Sequence, residues 1–163
     1  ITIKRLAHQV MENNIDSSEL ILIGLQPRGV FLSDQVVEEI KKEMPADKIL
    51  YGKLDITFYR DDVRDELHVA STTNIPFSIE GKKVVLIDDV LYTGRTIRSA
   101  MDALLGFGRP SKVELCVLID RKFNRENPVA PDYVGKSVDT RGHSQKVKVE
   151  WEENNYKVWL INE

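Results

Sequence analysis

The fold class follows from residues 84–96, which read VVLIDDVLYTGRT. Four apolar residues lead into two adjacent carboxylates, Asp88 and Asp89, and a Thr-Gly-Arg-Thr turn follows. A continuous apolar run of this kind is typical of a strand that is buried on both faces of a parallel sheet. Helical spacing begins directly after the turn, in the apolar residues Ile97, Ala100, Met101, Leu104 and Leu105. The stretch therefore predicts a buried strand, a tight turn and an amphipathic helix.

The same alternation of strand and helix occurs on both sides of this stretch. Helices are predicted over residues 3–11 and 29–43, and strands over residues 19–25, 49–59 and 113–119. Val30, Phe31, Val36, Val37 and Ile40 are expected to face inward from the second helix. The pattern predicts an α/β fold in which helices flank a parallel sheet. From residue 132 onward, short strands over 132–134, 146–151 and 156–161 predict a small antiparallel appendage.

Composition excludes several classes of protein. The chain has 163 residues, of which 23 are Lys or Arg and 26 are Asp or Glu, so the net charge is −3. No apolar run approaches the roughly 18 residues that span a bilayer, and no signal-peptide pattern is found at the start of the sequence. Cys116 is the single cysteine, so it forms no intramolecular disulfide and no zinc cluster. We expect a cytoplasmic protein, with a few residues preceding Ile1.

The turn after the carboxylates suits a phosphorylated sugar. Ligands of open α/β sheets bind at the carboxyl ends of the strands. The unpaired amides at residues 93–96 suit a phosphate, since they begin a helix, and the hydroxyls of Thr93 and Thr96 add donors. Asp88 and Asp89 can accept hydrogen bonds from vicinal hydroxyls or hold water around a magnesium ion. Phosphate and diol recognition side by side predict a ribose 5-phosphate ligand.

The alternative is that each of these residues is only structural. Asp88 could begin a loop and Thr93 could cap a helix, and either interpretation fits a single residue. Two adjacent carboxylates at the end of a buried strand are costly without a ligand, so the alternative fits the whole set poorly. Neither a Walker-type phosphate loop nor a dinucleotide-binding glycine motif is present in the sequence.

Residues 84–96 resemble the signature of the type I phosphoribosyltransferases, which bind phosphoribosyl pyrophosphate (PRPP). Together with LDITFYRDD at 54–62 and GRPS at 108–111, they are similar to one branch, the PyrR family of bifunctional pyrimidine-operon attenuators and uracil phosphoribosyltransferases. The similarity covers nearly the whole chain, so it implies one phosphoribosyltransferase domain over 1–163. It implies conversion of uracil and PRPP to UMP and pyrophosphate, with Mg²⁺ as cofactor, by a homo-oligomer.

The resemblance also implies which residues form the PRPP site. Arg28, Arg60, Asp88 and Asp89 are expected to be catalytic, and both aspartates to hold Mg²⁺ through water or PRPP. Tyr59, Arg60 and residues up to about 75 match the flexible lid. The implied PRPP contacts are Pro27, Arg28, Gly29, Asp88, Asp89, Val90, Leu91, Tyr92, Thr93, Gly94, Arg95 and Thr96. Gly29 is expected to permit a strained backbone.

Base recognition and RNA binding have separate candidates. The resemblance implies that Arg121, the Val147 side chain and the Lys148 backbone contact the base, within an appendage over about 121–163. Val147 and Lys148 could equally belong to an ordinary amphipathic strand, and Tyr133 could equally be core. Binding of pyrimidine-operon leader RNA would use the basic side chains Lys4, Arg5, His8, Lys122, Arg125 and Lys136, which could also be solvated surface charges.

Two other functions remain open. The chain could be an RNA-binding regulator that uses the PRPP fold as a nucleotide sensor, or it could be a phosphoribosyltransferase for a purine base. The acidic net charge counts modestly against the RNA-binding role and does not count against the enzymatic function. His8, His68, His143 and Cys116 are scattered, so covalent catalysis by a histidine or cysteine group is not expected.

Overall fold

The helices and strands follow one another in the order of an α/β fold. The computed structural model describes residues 1–15, 18–56, 73–123, 125–140, 145–153 and 155–162. Its elements are α1 Thr2–Glu12, β1 Leu20–Gln26, α2 Gly29–Lys41, a 3₁₀ turn Ala46–Lys48, β2 Ile49–Asp55, β3 Lys83–Leu91, α3 Arg95–Leu104, β4 Lys112–Lys122, β5 Tyr133–Asp139, β6 Gln145–Glu152 and β7 Asn155–Asn162. Among the described residues, no helix is long and apolar enough to span a bilayer.

A five-stranded sheet forms the centre of the molecule. Its strand order is β2-β1-β3-β4-β5, and every neighbouring pair is parallel. Strands β6 and β7 form a separate antiparallel hairpin. The α/β fold with a parallel sheet, flanking helices and a small C-terminal β appendage is therefore confirmed.

The predicted boundary of the appendage is wrong at one strand. A short strand over 132–134 was expected in the antiparallel piece, but residues 133–139 form β5, which pairs in parallel with β4. Tyr133 is 2% exposed, and its phenol hydroxyl donates to the buried Glu114 carboxylate at 2.8 Å. Because β5 is an edge strand, most of its later residues meet solvent, and its sequence lacks the continuous apolar run of β1, β3 and β4. Within the part of the chain that the structure describes, the antiparallel appendage consists of β6 and β7.

The two faces of the sheet bury two different cores. Alternate residues of the central strands, such as Val85 and Ile87, pack against α1 and α2 on one face. Their neighbours, such as Val84 and Leu86, pack against α3 on the other. This burial on both faces explains why these strands read as continuous apolar runs.

Three apolar residues that were expected to face inward are on the surface. Phe31 is 51% exposed and stacks on Trp151 of the hairpin, with 6.1 Å between the ring centroids. Met101 is 42% exposed and Leu105 is 63% exposed, because α3 buries the stripe formed by Ile97, Ala100, Ala103 and Leu104. Helical spacing alone overestimated the width of the apolar face at these positions.

Two tyrosines carry strongly shifted phenols. Burial, followed by a hydrogen bond to Asp34, raises the pKa of Tyr51 above its ordinary value of 10.0. Burial, followed by a hydrogen bond to Glu114, does the same to the pKa of Tyr133. Both phenols stay protonated in the native protein at a pH where they ionise in the unfolded chain.

We therefore predict that the unfolding free energy falls as pH rises above about 10, because only the unfolded chain releases these protons there. Urea denaturation at about pH 9 and about pH 11 measures the change. The double variant Tyr51→Phe/Tyr133→Phe is the control and should show a shallower fall. An equally steep fall in that variant would contradict this cause.

Candidate active site at the carboxyl edge of the sheet

The paired aspartates lie inside β3, at the point where this strand loses one of its neighbours. The expected strand ended at Ile87, but β3 continues to Leu91. Its pairing with β1 stops at Ile87, whereas its pairing with β4 continues to the partners Leu91 and Asp120. Asp88 and Asp89 therefore lie on a strand segment that has β4 on one side and the start of α2 on the other.

Gly29 brings α2 directly against this segment. A Cβ atom at Gly29 would lie 2.6 Å from the Ile87 carbonyl oxygen and 2.9 Å from the Asp88 Cα. The expected reason for a glycine here, a strained backbone, is wrong, since Gly29 is absent from the positive-φ glycines, Gly81, Gly94 and Gly108. Gly29 is required for close approach, and that approach sets the distance between the turn at 27–29 and the aspartates.

Both carboxylates are buried and held by backbone amides. Asp88 is 6% exposed and Asp89 is 5% exposed. The Asp89 amide donates to Asp88 Oδ1 at 2.8 Å, and the Val90 amide donates to Asp89 Oδ1 at 2.8 Å. Arg28 Nε donates to Asp89 Oδ2 at 3.2 Å. These bonds fix the orientation of the acidic pair.

A cavity of about 350 Å³ adjoins Asp88. It is lined by Asp88, Val90, Leu91, Tyr92, Thr93, Gly94, Arg95, Thr96 and Ile97. Gly94 has a φ of 90° and is the N-cap of α3, and the hydroxyl of Thr93 accepts from the Arg95 amide at 3.3 Å. Because helix N-termini carry partial positive charge and point amides outward, this cavity suits an anion. We call residues 92–96 the phosphate loop.

Arg28 connects the aspartates to the hairpin. Besides bonding Asp89, its guanidinium donates from Nη2 to the Val149 carbonyl oxygen at 2.8 Å. Its side chain is 57% exposed, so the guanidinium also faces solvent at the mouth of the site. The preceding peptide, between Gln26 and Pro27, is cis.

Arg121 holds the other end of β6. Its Nη2 donates to the Gln145 carbonyl oxygen at 2.8 Å, and its guanidinium carbon lies 3.7 Å from the centre of the Tyr92 ring. Strand β6 is thus attached at residue 145 by Arg121 and at residue 149 by Arg28. Val147 and Lys148 lie between the two attachments, with the Val147 side chain packed against the core and the Lys148 ammonium 3.2 Å from Glu150.

Several residues considered in the sequence lie outside the described residues, and others lie in the core. Tyr59, Arg60 and most of the expected lid are outside the described residues, as are His68 and His143. Tyr133 belongs to the core. Cys116 is fully buried, and burial raises the pKa of its thiol to about 12, so it supplies no nucleophile.

The phosphate loop has neighbours that the sequence did not indicate. The Thr93 carbonyl oxygen accepts from the amides of Glu126 at 2.8 Å and Asn127 at 3.1 Å. Asp120, 5% exposed, ends the apolar run of β4 as Asp88 ends that of β3. This likeness between Asp120 and Asp88 could have indicated Asp120 from the sequence. The contacts of Glu126 and Asn127 use backbone amides, which no residue pattern indicates.

Comparison with known proteins assigns the family. The profile of the phosphoribosyl transferase domain matches residues 1–154. The bifunctional protein PyrR of Elusimicrobium minutum is 50% identical over 141 residues, covering 85% of this chain and 78% of that protein. The PyrR of Geobacter sp. is 45% identical over 160 residues, covering 96% and 88%. The chain belongs to the PyrR family of phosphoribosyltransferases.

Solved structures agree with the fold of this PyrR-family chain. A hypoxanthine phosphoribosyltransferase from Staphylococcus aureus has a TM-score of 0.64 and 22% identity, covering 84% of this chain and 71% of that one. The hypoxanthine phosphoribosyltransferase of Trypanosoma cruzi has a TM-score of 0.66 and 17% identity, covering 88% and 78%. At this identity the likeness concerns the fold alone.

The expected RNA-binding residues of this PyrR-family chain fall into two groups. Lys4, His8 and Lys136 are exposed. Arg5 donates from Nη1 to the Val134 carbonyl at 3.1 Å and from Nη2 to the Gly135 carbonyl at 2.6 Å, so α1 is attached to β5 beside Lys136. Arg125 points into the protein, which argues against the role in RNA binding expected for it.

We predict that Gly29→Ala lowers the unfolding free energy by about 1–3 kcal/mol, because the added methyl group overlaps the β3 backbone. Chemical denaturation measures the loss. Gly106→Ala is the matched control, since its nearest neighbour is the Ala103 carbonyl oxygen at 3.4 Å, an ordinary contact. Equal stabilities of the two variants would show that α2 does not need this close approach.

Proposed function

We propose that this PyrR-family protein transfers the 5-phosphoribosyl group of PRPP to uracil, giving UMP and pyrophosphate. One observation carries the proposal: the buried carboxylate of Asp88, next in sequence to that of Asp89, lines a cavity of about 350 Å³ that also lies at the N-terminus of α3. Sugar hydroxyls need acceptors and a phosphate needs donors, and this edge of the sheet supplies both within one short segment.

Each part of PRPP has a proposed partner. The 5-phosphate binds in the phosphate loop at the start of α3. Asp88 and Asp89 accept hydrogen bonds from the ribose hydroxyls. Arg28, exposed beside Asp89, binds the pyrophosphate together with Arg60, which lies outside the described residues. These contacts support catalysis by positioning and by charge stabilisation of the leaving group.

The donor set fits Mg²⁺ bound together with substrate. Among the residues that the structure describes, no three His, Cys, Asp or Glu side chains gather to form a protein cage for a metal. Mg²⁺ is usually held by one or two carboxylates and substrate phosphates, which matches Asp88 and Asp89 beside PRPP. When bound, Mg²⁺ offsets the negative charge that develops on the pyrophosphate.

The transfer itself needs little protein chemistry. The bond from the ribose C1′ to pyrophosphate breaks, a bond from C1′ to the uracil nitrogen forms, and that nitrogen gives its proton to the departing pyrophosphate or to solvent water. Arg121 and the backbone at Val147 and Lys148 are proposed to hold the base, since β6 spans the site between Arg121 and Arg28. No step requires a strong general base on the protein.

The test is a panel of bases. Purified protein with PRPP and Mg²⁺ should release pyrophosphate with uracil and should not do so with hypoxanthine or guanine. Pyrophosphate release is measured by a coupled assay. Turnover with a purine base alone would contradict the pyrimidine assignment and leave a purine phosphoribosyltransferase.

Asp89→Asn serves to locate this activity. Its kcat/KM with uracil should fall about 10- to 100-fold, because hydrogen bonds to charged groups contribute about 1.5–3 kcal/mol. Asp102→Asn is the matched control, since Asp102 is exposed on α3 away from the cavity, and it should retain full activity. Equal activities of the two variants would show that the active site does not include Asp89 of β3.

The second proposed function is control of pyrimidine operons by binding leader RNA. The supporting observation is the exposed basic group on α1 and β5, where Arg5 lies next to residue 135 and Lys136 follows. Such a group suits the phosphate backbone of RNA. The name bifunctional, which the PyrR relatives carry, favours two activities in one chain.

Lys136→Ala should weaken binding of pyrimidine-operon leader RNA and reduce the salt dependence by about one phosphate contact. Filter binding with and without UMP measures both effects, and UMP should enhance binding by the unmodified protein. Lys112→Ala is the control, because Lys112 is exposed at the opposite end of β4. Binding that UMP does not enhance would contradict the regulatory role.

Three further expectations are proposals of the same kind. Residues 1–163 are proposed to act as one domain, supported by the α1, α2 and hairpin residues that share one core. A homo-oligomer and a cytoplasmic location stay predictions from the family resemblance. Sedimentation of the purified protein checks the first of these two, and fractionation of cells checks the second.

A further inference from the structure

We propose that Arg125 is a positioning residue that holds the phosphate loop in its binding conformation. The inference rests on the proposed function, because it concerns the same PRPP site. It assigns to Arg125 a role in catalysis in place of the surface contact with RNA that the sequence suggested.

The side chain of Arg125 is directed at the protein's own backbone. Its Nη1 donates to the carbonyl oxygen of Tyr92, in the phosphate loop, and to that of Arg121 at 3.1 Å. Its Nε donates to the Val129 carbonyl oxygen at 3.0 Å, and its Nη2 pairs with Asp120 Oδ1. Every nitrogen of the guanidinium is thus engaged, and the side chain is only 21% exposed.

The partners of Arg125 lie on the two elements that must be joined. Asp120 and Arg121 lie near the carboxyl end of β4, which is fixed within the sheet. Tyr92 lies just beyond β3, in the loop that leads to the N-cap Gly94 of α3. The guanidinium therefore joins this loop to a strand that is paired on both sides within the sheet.

The residues after Arg125 continue the attachment. The amides of Glu126 and Asn127 donate to the Thr93 carbonyl oxygen, and Glu126 pairs with Arg95 at 2.6 Å. A Cβ atom at Gly94 would lie 3.2 Å from Asn127 Cβ, so the two segments are in close contact. We call residues 125–127 the brace.

The brace binds carbonyl oxygens of the phosphate loop. In a trans peptide the N–H points away from the C=O, so the amides of Thr93 and Gly94 point away from the brace. Arg125 and the two amides occupy the carbonyls of Tyr92 and Thr93. A peptide whose carbonyl oxygen is hydrogen-bonded holds its amide in a fixed direction. Such a preorganised donor loses little conformational entropy when it binds an anion. The phosphate loop is therefore set before substrate arrives.

The inference separates ligand affinity from chemistry. Loss of the brace should disorder the donors for the 5-phosphate, and the reacting C1′ and its Asp88 and Asp89 contacts should be unchanged once PRPP is bound. The KM for PRPP should consequently rise more than kcat falls.

Three variants test the inference: Arg125→Gln, Arg125→Lys and, as matched control, Arg109→Gln, whose arginine is exposed far from the site. With saturating uracil, Arg125→Gln should raise the KM for PRPP about tenfold or more, with a smaller change in kcat. Arg125→Lys keeps the charge beside Asp120 and should restore part of the loss. Arg109→Gln should match the unmodified protein.

Hydrogen exchange of the ligand-free protein supplies a readout that does not depend on turnover. Peptides covering residues 92–96 should exchange faster in Arg125→Gln, with α1 and β1 unchanged. If the unmodified protein turns over no base, the proposed function fails, and exchange alone still decides the role of the brace.

Three results would overturn the inference. The first is an unchanged KM for PRPP together with unchanged exchange in Arg125→Gln. The second is faster exchange in every element, which would make Arg125 a residue of general stability. The third is weaker binding of leader RNA with normal PRPP kinetics, which would return Arg125 to the RNA-binding surface.

Discussion

The contact between Gly29 and the backbone of β3 is the constraint on which the rest of the site depends. It places the start of α2 in contact with Ile87 and Asp88, just beyond the point where the pairing of β1 with β3 ends. Any side chain at this position would separate the two elements. The approach places Arg28 within hydrogen-bond distance of Asp89 and so joins the turn after β1 to the acidic pair on β3.

Two arginines extend this arrangement to the hairpin. Arg28 binds the carbonyl of Val149 and Arg121 binds that of Gln145, so both ends of one short stretch of β6 are attached to the edge of the sheet. Each arginine also contacts a residue of the proposed PRPP site, Asp89 for Arg28 and Tyr92 for Arg121. The hairpin is therefore coupled at two points to residues that we propose bind substrate.

The sequence predicted the buried central strands and the two hairpin strands, and it failed at β5 and at several half-exposed side chains. The continuous apolar runs of β1, β3 and β4 predicted a parallel sheet, and the glycine in the turn at 93–96 predicted the loop before α3. Strand β5 was misassigned because an edge strand is partly exposed to solvent and so lacks a continuous apolar run. Phe31 was misplaced because its partner, Trp151, is distant in sequence.

Contacts to backbone carbonyls were beyond the reach of residue patterns. The residues next to Arg125 do not distinguish an arginine that binds four groups of its own chain from one that faces solvent. The one signal we find is Asp120, since an acidic residue that ends a buried strand needs a partner.

The distribution of charge explains how an acidic chain can hold an anionic substrate. Donors at the phosphate loop are backbone amides, which add no formal charge, and their direction is set by carbonyl contacts behind them. The arginines of the site, Arg28, Arg121 and Arg125, are partly occupied by the protein's own oxygen atoms, so they order the site as much as they attract ligand. In the proposed site, the buried aspartates are left to accept hydrogen bonds from sugar hydroxyls and to hold Mg²⁺. A net charge of −3 is compatible with this site because anion binding depends on a few oriented groups and not on the total charge.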